Sequence, residues 1–438
     1  MSLSDLLLLS RRDLLRTGLL AALALAACLW VSFQFLEPIP PRRIVLASGP
    51  ESGLYHRQAQ RYKEALAREG MTLDVRVTEG AAENLRLLLD PKSGVDIAFM
   101  QGGVAKFPEA NGVVMLASLY YEPLWIFVRR GERIDALSAL AGKRIAVGLA
   151  GSGTRALAVT LLAASGVSAD NATLLQLPAD EAQRSLKVGE VDASLLVGGV
   201  RSPVIMAGLT DPALDLVSLA QADAYPRRYP YLTRRTLPAG TIGFVPLVPP
   251  TDVALVSTEA MLAARDNLHP AIVNLLLETI RDEHDDQGYL EAPHEFPNVE
   301  PVDLPVSSDA SRHHRFGPNL LYRYLPFWAA TVLERFVIIV VPILVVMVPL
   351  LKFLPVVMRW RIRARIYRWY GELTLLERDV HLRQGELPIE RWLADLERIQ
   401  RAAERVTTPA SFASEAYTLR EHIDLVRRAV LAKAATSG

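Results

Sequence analysis

The sequence predicts an α/β protein: a two-lobed outer domain flanked by two transmembrane helices and followed by an α-helical tail. Three observations predict it. Two apolar stretches, from about Gly18 to Leu36 and from about Phe336 to Leu354, bracket a long soluble segment. Within that segment, strand-like and helix-like runs alternate. A plan of strand, Gly-containing loop, helix, strand, helix, strand occurs twice in succession.

Each apolar stretch has the length a bilayer crossing needs, roughly 20 residues. The first carries no charge; the second has only Lys352, close enough to its end to snorkel. Arg11, Arg12 and Arg16 precede the first. Arg359, Arg361, Arg363, Arg365 and Arg368 follow the second. The positive-inside rule then puts both termini in the cytoplasm and the intervening domain in the periplasm, with the chain in a bacterial inner membrane. Tyr322, Tyr324, Phe327 and Trp328 stand before the second stretch as an interfacial belt. The first stretch has three readings. Ser10-Arg11-Arg12-Asp13-Leu14-Leu15 looks like a twin-arginine export signal, and Leu25-Ala26-Ala27-Cys28 like a lipoprotein cleavage box. The third is an uncleaved anchor. Apolar sequence continues past Cys28 through Trp30, Phe33 and Leu36, which favours the anchor.

The expected division is a cytoplasmic N-terminus (1–16), an anchor (17–36), the outer domain (37–330), a second span (331–357) and a cytoplasmic tail (358–438). Lobe 1 takes about 42–127 and 238–290, and lobe 2 about 128–237. The net charge is zero, which gives no case for nucleic-acid binding. The single cysteine, Cys28, excludes an intrachain disulfide and a multi-cysteine metal site.

In lobe 1, Ile44–Ala47, Leu73–Val77 and Val95–Met100 read as strands, and 55–68 and 81–89 as helices. Val113–Val128 reads as two strand-like runs broken at Glu122-Pro123. In lobe 2, 144–147, 173–177 and 193–197 are strands, with helices at 154–164 and 179–187. Tyr225–Pro250 reads as loops near a hinge or cleft rim. Thr251–Ser257 is a strand returning to lobe 1, 270–284 a helix and His294–Pro305 an extended linker. Three helices follow the second span, at about 358–382, 388–406 and 411–434. Ile389, Trp392, Leu393, Leu396 and Ile399 form one apolar stripe on them, and Leu419, Ile423, Val426 and Val430 another. Such stripes pack on each other or on a partner, and mutual packing is the commoner outcome.

Gly151-Ser152-Gly153-Thr154 sits between a strand and a helix. Glycine permits the tight turn, and the helix amides favour an anion; a plain turn with a Thr154 cap has the same pattern. No Lys-Ser or Lys-Thr pair follows there to complete a nucleotide loop, and no cofactor is expected. Open α/β sheets bind ligands at the carboxyl ends of their strands. Polar residues at those ends are the expected ligand contacts: Ser52, Tyr55, Thr78, Asn84, Gln101, Ser152, Gly153 and Thr154, with Arg155 as a carboxylate partner. Tyr121 is included as a wall of the cleft, although aromatic strand residues are more often core. There is no Gly-x-Ser-x-Gly elbow, and no enzyme is expected. Glu283, His284, Asp285, Asp286 and His294 read as a solvated helix end rather than a metal site.

Together, Ile44–Tyr55, Thr78–Leu85, Asp96–Gln101, Tyr121-Glu122-Pro123-Leu124-Trp125 and Ala141–Gly148 through Thr154 resemble the TAXI group of solute-binding proteins, the TRAP-associated extracytoplasmic immunogenic family. The likeness covers roughly Ile44–His284. It implies a periplasmic-binding-protein-like fold that captures a small solute, an organic acid or amino acid. The implied partner is a tripartite ATP-independent (TRAP) permease driven by an ion gradient. The first loop departs from the pattern at Glu51 and His56, and the second span with its tail is an addition to it. A transmembrane receptor that signals through the tail is built the same way, and stands as the alternative.

Overall fold

The computed structural model describes residues 11–34, 39–105, 110–284, 288–318, 320–382, 388–405 and 413–436. The chain divides into two compact units. One is Glu37–Leu333; the other joins Met1–Leu36 to Glu334–Gly438.

Helix α1 (Arg11–Gln34) precedes the lobed unit. Lobe 1 opens with β1 (Arg43–Ala47), α2 (Leu54–Arg68), β2 (Thr72–Arg76), α3 (Ala81–Leu89) and β3 (Ile97–Gln101). Strand β4 (Val113–Arg129) crosses into lobe 2. There follow β5 (Arg144–Ala146), α4 (Gly153–Ala164), β6 (Thr173–Leu175), α5 (Ala179–Val188), β7 (Ala193–Val197) and α6 (Pro203–Thr210). Next come β8 (Leu214–Leu216), α7 (Tyr225–Arg228), β9 (Thr233–Leu237), β10 (Gly243–Phe244) and β11 (Leu247–Val248). Strand β12 (Val253–Arg265) crosses back, ahead of α8 (Pro270–His284), α9 (Ser308–Phe316) and α10 (Leu320–Tyr324). Helix α11 (Phe327–Leu382) starts in this unit and ends in the other, where α12 (Ile389–Arg405) and α13 (Ala413–Thr436) follow.

The main sheet runs β2-β1-β3-β12-β4-β7-β5-β6, with β8 added on β4 and β9 on β12. β1 pairs in parallel with β2 and β3, and β5 with β6 and β7. These are two copies of one parallel plan in sequence; in space they are joined by the antiparallel pair β4 and β12. β4 gives its first half to lobe 1 and its second half to β7. β12 pairs with β9 at Val253–Ser257 and with β3 at Ala260–Ala264. The crossing therefore lies at Glu122, opposite Thr258.

This corrects four expectations. The strand does not break at Glu122-Pro123. Proline lacks the N–H that a central ladder needs, and here it sits where the ladder changes partners. Residues 238–257 belong to lobe 2, because Leu237, Val253 and Leu255 share a core with Trp125 and Phe127. His294–Pro305 is not a free linker. It bridges to β4 at Ser118–Asn298 and, one residue past its end, at Met115–Val306, and Phe296 and Leu304 are buried. The segment covers a strand edge that would otherwise be open. Tyr225–Pro250, expected as loops, also holds α7, β9, β10 and β11.

Lobe 1 buries Ile44, Leu46, Tyr62, Leu73, Phe99 and Ile272 in one core. Phe327, in the first turn of α11, belongs to the same core, and Ala330 is buried beside it. The Phe327 amide donates to Glu69 Oε2 at 3.4 Å, and the Arg42 guanidinium lies 5.1 Å from the Trp328 ring. The expected interfacial aromatics are thus partly built into the lobe.

In the second unit, the end of α11 packs with α12 and α13 around Leu373, Val380, Trp392, Leu396, Ile423 and Val426. The two apolar stripes pack on each other and on α11. Among the described residues, one helix is long and apolar enough to cross a membrane: 23 residues, Phe327–Pro349, of mean hydropathy 2.5. Helix α1 contributes a shorter apolar stretch, Ala22–Gln34; Phe35 and Leu36 lie outside the described residues.

Candidate functional site: a cleft of converging helix N-termini

Parallel βα units place strand C-termini and helix N-termini on one side of a sheet. The two lobes turn those sides toward each other. The cleft between them has a volume of about 150 Å³. Five helices begin at its wall: α2 after Gly53, α3 after Gly80, α4 after Ser152, α5 after Pro178 and α6 after Ser202. The first amides of a helix have no partner within it. At Gly53, Gly80, Pro178 and Ser202 no side chain caps them. At Ser152 the hydroxyl accepts from the Arg155 amide at 3.2 Å. Each N-terminus carries about half a positive charge. Among the described residues, no lysine or arginine lines the cleft, so the partial positive charge there is that of the helix N-termini.

The lobes meet across the cleft through short contacts. Gln101 Nε2 donates to the Gly153 carbonyl at 3.2 Å. The Gly151 amide donates to Glu79 Oε2 at 2.6 Å, and the Glu83 amide to the Gly151 carbonyl at 3.1 Å. Two glycines make this approach possible. Gly80 has φ of 131°, and a Cβ there would stand 3.3 Å from Ser152 Cα. A Cβ on Gly153 would overlap the Gln101 amide.

At the base of the cleft, the Tyr55 hydroxyl lies 2.6 Å from Glu122 Oε2 and 3.1 Å from the Met100 carbonyl. The Tyr55 ring stacks on Phe99 with centroids 5.1 Å apart. Glu122 is 4% exposed. Burial pushes its carboxyl up to about 8, against a smaller opposing effect of the Tyr55 hydrogen bond. The ordinary glutamate value is about 4.3. The folded state therefore holds the proton more tightly than the unfolded state. The resulting stability is complete below that ordinary value and is lost as pH rises to about 8. Glu122→Gln, which mimics the neutral acid, is expected to melt several degrees above wild type at pH 9. The gap should close at pH 5; equal melting curves at both pH values would refute a neutral Glu122.

The structure brings together Ser52, Tyr55, Gln101, Ser152, Gly153 and Thr154. Thr154 Oγ1 also accepts from the Val197 amide at 3.1 Å. Four expected residues stand elsewhere. Asn84 is fully buried, its Nδ2 donating to the Ser48 and Phe99 carbonyls at 2.7 and 2.8 Å. Thr78 donates to Asn84 Oδ1 at 2.7 Å. Tyr121 points to the opposite side of β4 from Glu122, as adjacent strand residues must. Its ring meets Phe296 edge-on at 4.9 Å and carries Arg235 at 3.7 Å, and its hydroxyl donates to Glu295. Arg155 does not line the cleft, and its Nη1 is buried without a hydrogen-bond partner.

Glu79, Glu122 and the starts of α5 and α6 were not expected in the site. Glu122 did leave a signal: it is the only charged residue in the run from Val113 to Val128. His284 is not a solvated helix end. It accepts from or donates to Tyr62 at 2.9 Å and stacks against Tyr120 at 5.8 Å, and burial pushes it down to about 4. Asp285 and Asp286 lie outside the described residues. Among the described residues, no three His, Cys, Asp or Glu side chains are grouped to hold a metal ion.

Two α/β lobes, joined by paired crossing strands and enclosing a cleft of helix N-termini, define a periplasmic-binding-protein-like protein. The chain belongs to the NMT1-like family, whose model matches residues 46–299, more than half of its length. Solved structures with similarity include the periplasmic aliphatic sulphonate-binding protein SsuA of Escherichia coli. It is 14% identical with a TM-score of 0.37, over 55% of this chain and 72% of that one. The alkanesulfonate-binding protein SsuA of Xanthomonas axonopodis pv. citri, bound to MOPS, is 16% identical with a TM-score of 0.38, over 56% and 74%. An ancestral arginine-binding protein bound to arginine is 12% identical with a TM-score of 0.38, over 57% and 95%.

Proposed function

We propose that this chain is a membrane-anchored extracytoplasmic solute-binding protein. Its cleft captures a small solute bearing one carboxylate and presents it to a TRAP-type permease driven by an ion gradient. Phe327–Pro349 would cross the inner membrane, and α1 would anchor the chain uncleaved, leaving both termini cytoplasmic and the lobes periplasmic. The observation that carries the reading is the convergence of five helix N-termini on a cleft that, among the described residues, has no lysine or arginine in its wall. Such a cleft suits an anion held by backbone amides. Its walls also include Leu54, Leu149, Leu177, Leu196 and Val204, which suit a short apolar body. Solute binding would favour the closed arrangement of the lobes over an open one.

Calorimetry on the full chain in detergent, with short organic acids and amino acids as probes, tests this directly. Thr154→Trp should cost at least roughly 100-fold in affinity, since an indole would occupy much of the cavity. A folded Thr154→Trp protein that binds like wild type would remove the cleft from consideration.

A receptor is the second reading. It is favoured by the burial of Phe327 and Ala330 in lobe 1, which ties the lobe to the start of α11 without a flexible linker. Deleting the residues after Arg368 separates the two. Uptake that survives the deletion supports transport; lost regulation with intact uptake supports signalling through the tail.

A further inference from the structure

Glu122 stands where the two lobes join, opposite Thr258 on β12, and it also lines the cleft. Its hydrogen count is informative. The Tyr55 hydroxyl owns one hydrogen but lies within bonding distance of two acceptors, the Met100 carbonyl and Glu122 Oε2. A carbonyl never donates. With Glu122 ionised, only one of the two contacts is a hydrogen bond. With Glu122 protonated, both are: Glu122 donates to Tyr55, and Tyr55 donates to Met100.

The surroundings agree. The groups facing Glu122 are Tyr55 from α2, Tyr120 on its own strand, Gln101 at the end of β3 and Thr258 on β12. Glu79 is the other carboxyl in the cleft wall. Among the described residues, no lysine or arginine lines the cleft to hold an ionised Glu122. A buried charge without a partner is strongly disfavoured. An ionised Glu122 would also repel any anion drawn in by the helix N-termini.

Resting on the solute-binding reading above, we propose that Glu122 is the specificity-determining residue of the cleft. It meets the solute as a neutral carboxylic acid, so that binding of a short monocarboxylate requires a proton on Glu122. The size of the solute follows from the cavity. A volume of about 150 Å³ is that of a protein cavity that holds benzene, so the solute has roughly six to eight non-hydrogen atoms. Its single negative charge faces the helix N-termini. A second charge would meet Glu79 and Glu122 rather than a cation.

The test uses the full chain in detergent and two readouts. Infrared spectra below pH 7 should show the carbonyl band of a neutral buried carboxyl in wild type. The band should be missing in Glu122→Gln and should fade in wild type as pH rises through about 8. Where Glu122→Gln does not fold, Tyr55→Phe should shift the same band, because it removes the acceptor. Titrations with pyruvate, butyrate and 2-oxobutyrate should show wild-type affinity falling about tenfold per pH unit above that point. The Glu122→Gln profile should be flat over the same range. Absence of the band overturns the neutral acid whatever binds. Parallel pH profiles for the two proteins overturn its link to the solute. The band without binding of any of these acids overturns the carboxylate reading, and with it the specificity assigned here, while the neutral acid stands.

Discussion

Asn84→Ala is expected to destabilise the lobed unit by about 2–4 kcal/mol. Asn84 is fully buried at the start of α3. Its amide nitrogen reaches the Ser48 carbonyl after β1 and the Phe99 carbonyl within β3, with the Ala47 carbonyl at 3.3 Å. Its oxygen accepts from Thr78 after β2. One side chain thus ties three strand ends of lobe 1 to the helix that begins the cleft. Alanine leaves those buried groups without their partner, and each such loss costs about 1–3 kcal/mol. Asn84→Asp should be worse, because it turns an acceptor toward carbonyls that need a donor. Denaturant titration followed by near-ultraviolet circular dichroism measures the loss. A direct solute contact would behave differently, with affinity falling at unchanged stability. That outcome would return Asn84 to the list of ligand residues.

The contrast between Asn84 and Ser152 shows what was legible in the sequence and why. Glycine-rich loops between a strand and a helix were readable because close backbone approach requires glycine. Gly80, Gly151 and Gly153 meet across the cleft for that reason. A polar residue at a strand end is ambiguous, since it can face the cleft or satisfy the backbone groups behind it. Ser152 does both: its hydroxyl donates to the Leu149 carbonyl and accepts from the Arg155 amide while it lines the cleft. Asn84 does only the second. Single-residue reading cannot separate them, because both roles select small hydrogen-bonding side chains.

The parity of β4 was hidden for a related reason. A half-buried strand alternates in polarity and announces its faces. β4 is buried on both faces for nearly its whole length, and such strands read as continuous apolar runs. Alternation then does not distinguish the faces of Tyr121 and Glu122, and the one signal left is that Glu122 is the only acid between Val113 and Val128. The same lack of pattern hid the change of partners at Pro123, where a ladder passing from one lobe to the other resembles a chain break. The alternation of strands and helices elsewhere was readable because 2.0 and 3.6 residue periods differ strongly. Lobe 1's shared core with Phe327 was not, since belt aromatics and core aromatics are the same residue types.

Trp392→Ala should unfold the helical bundle of the second unit and leave the lobed unit folded. Trp392 is 1% exposed, and its indole nitrogen donates to Asp379 Oδ2 at 2.9 Å. It lies with Leu396, Ile399 and Ala403 on α12, facing Leu419, Ile423, Val426 and Val430 on α13 and Leu373 and Val380 on α11. Truncating a buried tryptophan costs about 3–5 kcal/mol. A bundle this small has a total stability at the low end of the usual 5–15 kcal/mol, so one substitution removes most of it. Limited proteolysis should then cut within α12 and α13 much faster than in wild type, with loss of helical circular dichroism. Solute affinity should stay unchanged, because the lobes have separate cores. Affinity that falls along with bundle stability would show the two units to be energetically coupled. A solute-binding protein has no use for that coupling, whereas a receptor depends on it, so the same variant weighs one reading of the chain against the other.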